Sequence, residues 1–375
     1  MLLNYEYPPV GGGGGVASSQ IAKGLSQHDI SIDVVTGGFG KLYKEDTISG
    51  IRVFRVKVLF RNKLATASFI SMLTYLVSGF VKSLSLIKKE KYCLIYSHFA
   101  VPTGLLGTVL SKMFHKRHAL SIYGGDIYDP SKKTSPHRHF VTRKLVQWVL
   151  NNSEVIISDS EETSQKAREY YSVKKNIHVV PIPYEAKSFK KISRKKLGLD
   201  SKSKYLISIG RLVPRKGYSE LIRTFKFIKD RNIKLLIIGE GPERKKLEKL
   251  IMQYKLIKRI FLLGQKPEEE KYQYLYRSDA YILPSLHEGF GIVIQEALQA
   301  GLPVFTTKDV GILTYLKQKE NYIFIDISKT EEAAKIIINN LGKNRLLKVI
   351  SRNNMRVVRK FSFDHLIPSY MQLLK

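Results

Sequence analysis

The sequence predicts an α/β protein of two doubly wound, Rossmann-like domains. Three observations predict it. Short apolar, β-branched runs alternate with helix-period stretches through both halves of the chain. At 375 residues the chain exceeds one ordinary core. Residues 187–196 carry six basic side chains in ten and read as a linker between the halves.

In the first half, strands are expected over 2–5, 30–36, 51–58, 92–98, 118–123, 155–158 and 177–181. The segment 51–58 alternates as a strand should. Helices are expected over 16–27, where Ile21, Ala22 and Leu25 share a face, and over 104–114. The second half repeats the style. Strands are expected over 205–209, 234–238, 259–263 and 280–283, and helices over 218–229, 243–254 and 268–277. Strands alternating with helices imply parallel sheets covered by helices.

Hydrophobic content of 43% and charged content of 25% are ordinary for a globular chain. The net charge of +31 is not. It attracts polyanions: nucleic acid, anionic lipid or phosphorylated substrates. Part of it also fits compositional drift, because lysine and isoleucine are both abundant. No nucleic-acid module or zinc-finger spacing is present, so no nucleic-acid partner is expected. A single cysteine excludes an intrachain disulfide and fits a reducing compartment. Cys93 adjoins apolar Leu94 and Ile95, so a buried thiol is expected. Met1-Leu2-Leu3-Asn4 leaves the first strand few residues, so a slightly late start is expected. No secretory signal is read there.

Residues 64–87 are almost wholly apolar. Ser71, Thr74, Ser78, Lys82 and Ser85 fall on one helical face, with Arg61 and Lys63 before and Lys88, Lys89 and Lys91 after. Three readings stay open: a buried helix, a membrane-surface helix suited to anionic lipid, and a transmembrane helix that Lys82 argues against.

Residues 284–303 are the richest in chemistry. Glu288 and Glu296 stand eight positions apart across a loop-to-helix junction. Gly289-Phe290-Gly291 between them supplies backbone freedom and amide groups at a helix start. Such a terminus favours phosphate. Glu296, in the helix's second turn, could reach a ribose. Glu288, on the loop, could face a sugar. A phosphate cradle flanked by two acceptor side chains suits a sugar nucleotide. Arg211 and Lys216, in Gly210-Arg211-Leu212-x3-Lys216-Gly217, leave the carboxyl end of a strand, where open α/β sheets bind ligands. Arg211 offers a planar fork and Lys216 a point charge. Five glycines, 11–15, precede the first helix and permit close approach to a phosphate. His98 and the run Tyr123-Gly124-Gly125-Asp126 end two further strands. A satisfied core histidine is the competing reading of His98.

With Pro284-Ser285 before it and Glu296-Ala297-Leu298-Gln299-Ala300-Gly301-Leu302-Pro303 closing it, the pattern resembles the E-x7-E signature of retaining glycosyltransferases of GT-B architecture, most similar to family 4. The likeness covers nearly the whole chain and is strongest over 209–303. It implies two domains facing across a cleft, 1–186 on the acceptor side and 187–360 binding the donor, with 361–375 a helix returning to the first; Asp364 and Tyr370 stand in that pattern. It implies catalytic roles for Glu288, Lys216 and Arg211. Donor contacts would come from Gly12, Gly13, Gly14, Arg211, Lys216, Gly264, Glu288, Gly289, Phe290, Gly291 and Glu296. His98, Tyr123 and Asp126 would lie on the acceptor side. Residues 263–265 match a backbone contact to the base, and Gly239-Glu240-Gly241-Pro242 a structural element beside it. Two departures are plain: Tyr123 stands where the family often has the histidine of His-Gly-x-Asp, and 180–184 lack its usual glycine.

The resemblance implies no metal and no cofactor, with a UDP- or GDP-linked sugar as co-substrate. A glycan or lipid-linked sugar would accept it. A cytoplasmic location is expected, and the net charge with the 64–87 helix leaves peripheral placement at the inner face of the plasma membrane open. Alternatives are another sugar-nucleotide enzyme of this fold, such as a non-hydrolysing epimerase, or a basic nucleic-acid-binding protein.

Overall fold

The structure is a computed structural model. It describes residues 1–42, 44–61, 68–130, 132 and 134–375. The chain forms two compact units, Met1–Glu185 with Phe361–Lys375, and Ala186–Lys360.

In unit 1 the order is β1 (Leu2–Leu3), α1 (Gly13–Ser26), β2 (Asp33–Gly37), β3 (Glu45–Ile48), β4 (Ile51–Val56), α2 (Phe69–Lys89), β5 (Leu94–His98), α3 (Leu105–Phe114), β6 (Arg117–Ile122), α4 (Gly124–Ile127), α5 (Phe140–Asn152), β7 (Val155–Ser158), α6 (Glu161–Tyr171) and β8 (Ile177–Val179). The sheet order is β3-β4-β2-β1-β5-β6-β7-β8, parallel except at the β3–β4 edge. Val34, Val35, Ile95 and Leu120 are fully buried, each contributing about 1.5–3 kcal/mol by leaving water. Helix α6 escapes an apolar-period reading because it is polar. Its start is set by Ser160, whose Oγ accepts Thr163 N at 3.2 Å, with Glu161 and Glu162 in the first turn.

Unit 2 runs β9 (Lys204–Ile209), α7 (Tyr218–Phe225), β10 (Ile233–Ile238), α8 (Arg244–Gln253), β11 (Ile260–Gly264), α9 (Glu268–Arg277), β12 (Ala280–Leu283), α10 (Ile292–Gln299), β13 (Val304–Thr306), β14 (Tyr322–Phe324), α11 (Thr330–Leu341) and α12 (Asn344–Val357). Its sheet is wholly parallel, ordered β11-β10-β9-β12-β13-β14. The core gathers Leu206, Leu235, Ile237, Ile282 and Phe305 against Leu221, Ile222 and Phe225 of α7 and Ile337 of α11.

The last helix, α13 (Phe363–Leu374), belongs to unit 1. Ile367 packs against Gly24 of α1, where a Cβ would come within 2.3 Å. Tyr370 Oη donates to the carbonyls of Val180 and Pro181 at 3.3 and 3.2 Å.

Helix α2 presents its apolar side outward. Residues 64–67, which the apolar run also includes, lie outside the described residues, as does Lys63. Ser71, Tyr75, Gly79, Ser83 and Leu86 face inward, with Tyr75 and Leu86 joining the core and Tyr75 Oη donating to Val35 O at 3.0 Å. Phe69, Val77 and Val81 are 69%, 69% and 61% exposed, with Ile70 and Leu73 beside them. The polar face read from the sequence divides in the fold: Ser71 is buried, Thr74, Ser78 and Lys82 are half-buried, and Ser85 is exposed. Cys93 is also a correction. It is exposed, because it precedes β5 on a surface turn rather than lying in the strand.

Candidate active site

Two loops at the carboxyl ends of neighbouring strands β9 and β12 build a charged cluster in unit 2. They are stitched together by backbone. Leu286 N donates to Arg215 O at 2.8 Å. Gly217 begins α7 with φ +67°, and a Cβ there would meet Pro284 O at 2.0 Å, so only glycine permits this approach. The loop carrying Glu288 is pinned from the other side: Glu288 N donates to Asp309 O at 2.9 Å, and Gly311 N to Glu288 O at 3.1 Å. Gly291, with φ +97°, then opens α10.

This packing brings Lys216 Nζ into a short hydrogen bond with Glu288 Oε2. Arg215 Nη1 lies 3.4 Å from the same oxygen and donates to His287 O at 3.2 Å. Burial would raise the Glu288 carboxyl, yet Lys216 and Arg215 outweigh it and hold it below the usual carboxylate range. Burial lowers the Lys216 ammonium, with Arg215 and Arg211 adding to the effect and Glu288 opposing it. The pair is ionised and largely shielded, with side chains 7% and 16% exposed. Arg211, at the start of the same loop after β9, is exposed. Phe290 is buried, 6.5 Å from the Tyr315 ring. Gly264 ends β11, two strands from β9, and its carbonyl accepts Gly239 N at 2.9 Å. Glu296 sits in the second turn of α10, paired with Lys271 of α9 at 2.6 Å.

Unit 1 holds a second cluster at its strand ends. His98 is fully buried; its Nδ1 meets Tyr123 Oη at 2.6 Å, while Nε2 has no partner among the described residues. Burial lowers the imidazole to about 3, so it is neutral. Asp126 Oδ2 accepts Ala100 N at 2.6 Å and Oδ1 accepts Tyr123 N at 2.8 Å. Burial pushes its carboxyl up to about 7, against these backbone donors. Asp159, after β7, is also pushed to about 7, by burial and then by Asp126. Of the glycines, Gly12 donates its N–H to Glu6 Oε2 at 3.0 Å. Gly13 and Gly14 begin α1, Gly14 against the Phe99 ring and Gly13 in open space. Among the described residues no cluster of three or more His, Cys, Asp or Glu is arranged to hold a metal ion.

Sequence reasoning missed Lys271 and Asp159. Asp159 carried a usable signal, its position just past a strand's carboxyl end. Lys271 carried none, since only folding brings α9 beside α10.

Residues 11–186 match the profile of glycosyltransferase family 4 and residues 189–357 that of glycosyl transferases group 1. An uncharacterized glycosyltransferase of Methanocaldococcus jannaschii is 26% identical, covering 100% of this chain and 97% of its own. The N-acetyl-alpha-D-glucosaminyl L-malate synthase of Bacillus anthracis is 23% identical over 97% and 93%. Among solved structures, sucrose-phosphate synthase from Thermosynechococcus elongatus superposes with a TM-score of 0.86 at 20% identity, covering 99% and 97%. Anabaena HepE in complex with UDP-glucose gives 0.79 at 19%, covering 100% and 98%. With the two profiles in tandem across both parallel α/β units, the chain belongs to the group 1, family 4 glycosyltransferases of GT-B fold.

Proposed function

We propose that this glycosyltransferase is retaining and metal-independent. It takes a UDP- or GDP-linked sugar and passes it to a glycan or lipid-linked sugar in cell-surface polysaccharide or glycolipid synthesis. The observation that supports this most is the shielded Lys216–Glu288 pair, flanked by Arg215 and Arg211 at the strand ends. The donor diphosphate would lie against Arg211, Lys216 and the α10 start formed by Gly289, Phe290 and Gly291. As it engages Lys216, Glu288 is released toward the sugar hydroxyls. Glu296 takes the ribose and Gly264 the base.

The C1–O bond to the diphosphate breaks as the acceptor oxygen bonds C1 on the same face. The acceptor's proton passes to the leaving phosphate oxygen. Arg211 and Lys216 stabilise the charge that grows there. Gly12, Gly13 and Gly14 are assigned to the donor diphosphate, and His98, Tyr123 and Asp126 to the acceptor side. A relative named as a UDP-Gal:alpha-D-GlcNAc-diphosphoundecaprenol galactosyltransferase, and a structural neighbour holding UDP-glucose, support a UDP-sugar and a lipid-linked acceptor.

A thermal-shift screen across nucleoside diphosphates tests the donor, because ligands of the native state raise its melting temperature. UDP or GDP should shift it. Activity should survive EDTA, and the product should keep the donor's anomeric configuration. Loss in EDTA restored by magnesium, or an inverted product, refutes the corresponding part. Product analysis with donor alone separates transfer from epimerisation.

Placement on the cytoplasmic side, against an anionic bilayer, is part of this reading. Its support is the outward apolar stripe of α2, with exposed Lys88, Lys89 and Lys91 following it, in a chain of charge +31. Binding to anionic vesicles should weaken with salt, since screening acts within about 8 Å at physiological strength. The apolar stripe should leave a salt-resistant remainder. No pelleting with anionic vesicles, or equal pelleting with neutral ones, rules the docking out.

A further inference from the structure

Glu296 is held by a residue outside every motif. Lys271 Nζ donates to Glu296 Oε1 at 2.6 Å, with the two side chains 16% and 13% exposed. The other oxygen, Oε2, is buried and has no hydrogen-bond partner among the described residues. A buried carboxylate oxygen in that state is unfavourable and calls for a donor. The protein supplies a cation to one oxygen of this carboxylate and, among the described residues, no donor to the other.

Helix α9 cannot drift from this position. Residues 187–192 strap it down. Gln273 Nε2 donates to Lys190 O at 2.9 Å, and its Oε1 accepts Ile192 N at 3.0 Å. Lys187 Nζ pairs with Glu268 Oε1 at 2.5 Å, and Phe189 packs on Tyr272 with ring centroids 5.3 Å apart. The same strap holds α10, because Gln299 Nε2 donates to Lys187 O at 2.7 Å. The Lys271–Glu296 pair therefore joins two helices already fixed to one segment.

We propose that Lys271 is the positioning residue for ribose recognition. Its ammonium holds Oε1 and sets the carboxylate plane, so that Oε2 meets the hydroxyls of the donor's ribose. This rests on the donor reading above and adds a residue to it. Lys271 does not touch the nucleotide. Without it the carboxylate loses its orientation, while the diphosphate contacts of Arg211 and Lys216 remain. The expected loss is therefore in discrimination between ribose and deoxyribose rather than in diphosphate affinity.

Calorimetry on the full chain tests this with UDP against 2′-deoxy-UDP and GDP against 2′-deoxy-GDP. Wild type should prefer the ribose form of the nucleotide it binds by roughly tenfold, the worth of a charge-assisted hydrogen bond. Lys271→Met should reduce that preference to under about threefold, with the deoxy form binding nearly as before. Lys271→Arg should retain most of the preference, since it keeps a cationic donor. Should the Met variant melt early, Lys271→Leu, which also lacks a donor, is read the same way. Equal weakening of both nucleotide forms marks a purely structural role and overturns the proposal, as does an unchanged preference. Wild type that binds neither diphosphate overturns the donor reading and takes the proposal with it. Wild type with ribose preference and an unaffected Met variant overturns the proposal alone.

Discussion

The two units resemble each other in topology and differ in how they treat charge at their strand ends. In unit 2, Lys216 and Glu288 neutralise each other as an ion pair with Arg215 close by. In unit 1, His98 is held neutral by burial and the carboxyls of Asp126 and Asp159 are raised to about 7. The first arrangement holds cations beside a carboxylate at the strand ends, where an anion would compete for them. The second holds the imidazole neutral and brings the two carboxyls close to half-protonation at neutral pH. One parallel α/β plan thus offers two electrostatic environments, chosen by whether opposite charges meet across the loops.

Breaking the ion pair should have the largest effect. Lys216→Ala should be nearly inactive in transfer assays. It should also be less stable by about 3–5 kcal/mol, the usual result of leaving a buried partner charge alone. Adding Glu288→Gln should recover melting temperature but not activity; recovery of both would move the catalytic role away from Lys216.

Glu288→Gln alone should lower kcat by roughly ten- to a hundredfold with nucleoside diphosphate affinity little changed. A fall confined to nucleotide binding would place this residue on the diphosphate and not the sugar. Glu296→Ala should do the reverse, weakening nucleotide binding by roughly ten- to a hundredfold. Wild-type affinity by calorimetry would sink the ribose assignment.

The effect in unit 1 should appear in stability against pH and not in donor binding. The Asp126 carboxyl titrates near 7 when folded and near 4 when unfolded. Its contribution to stability is fully present below the unfolded value and is lost as pH rises through the folded one. Asp126→Asn should therefore flatten the decline in stability between about pH 4 and 7 relative to wild type. Denaturant melts across that range would show it, and an unchanged slope would mean that Asp126 is already ionised in the fold.

Much of unit 2 was legible because its signals are local. Gly217 and Gly291 mark turns that only glycine makes, and both lie beside charged residues that recur in a known spacing. The pairing of Lys216 with Glu288 was not legible. It depends on β9 and β12 being neighbours, a fact about the sheet and not about either segment. Lys271 and Glu296 meet because residues 187–192 hold both α9 and α10, which neither helix announces in its own sequence. Periodicity failed where elements are short or polar: β13 and β14 have three residues each, and α6 carries little apolar surface. It also misjudged α2. Counting polar residues located a face whose members separate in the fold, with Ser71 buried, Thr74, Ser78 and Lys82 half-buried and Ser85 exposed.

Helix α13 has a consequence for the order in which the protein is made. Unit 1 holds the first 185 residues, yet Ile367 and Tyr370 complete its packing against α1 and the 180–181 backbone. On a ribosome, unit 2 emerges whole before unit 1 can close. At typical synthesis rates that interval is on the order of tens of seconds. The amino-terminal half must wait through it with part of its surface uncovered, and a chain stopped before residue 361 would carry a finished second unit joined to an unfinished first.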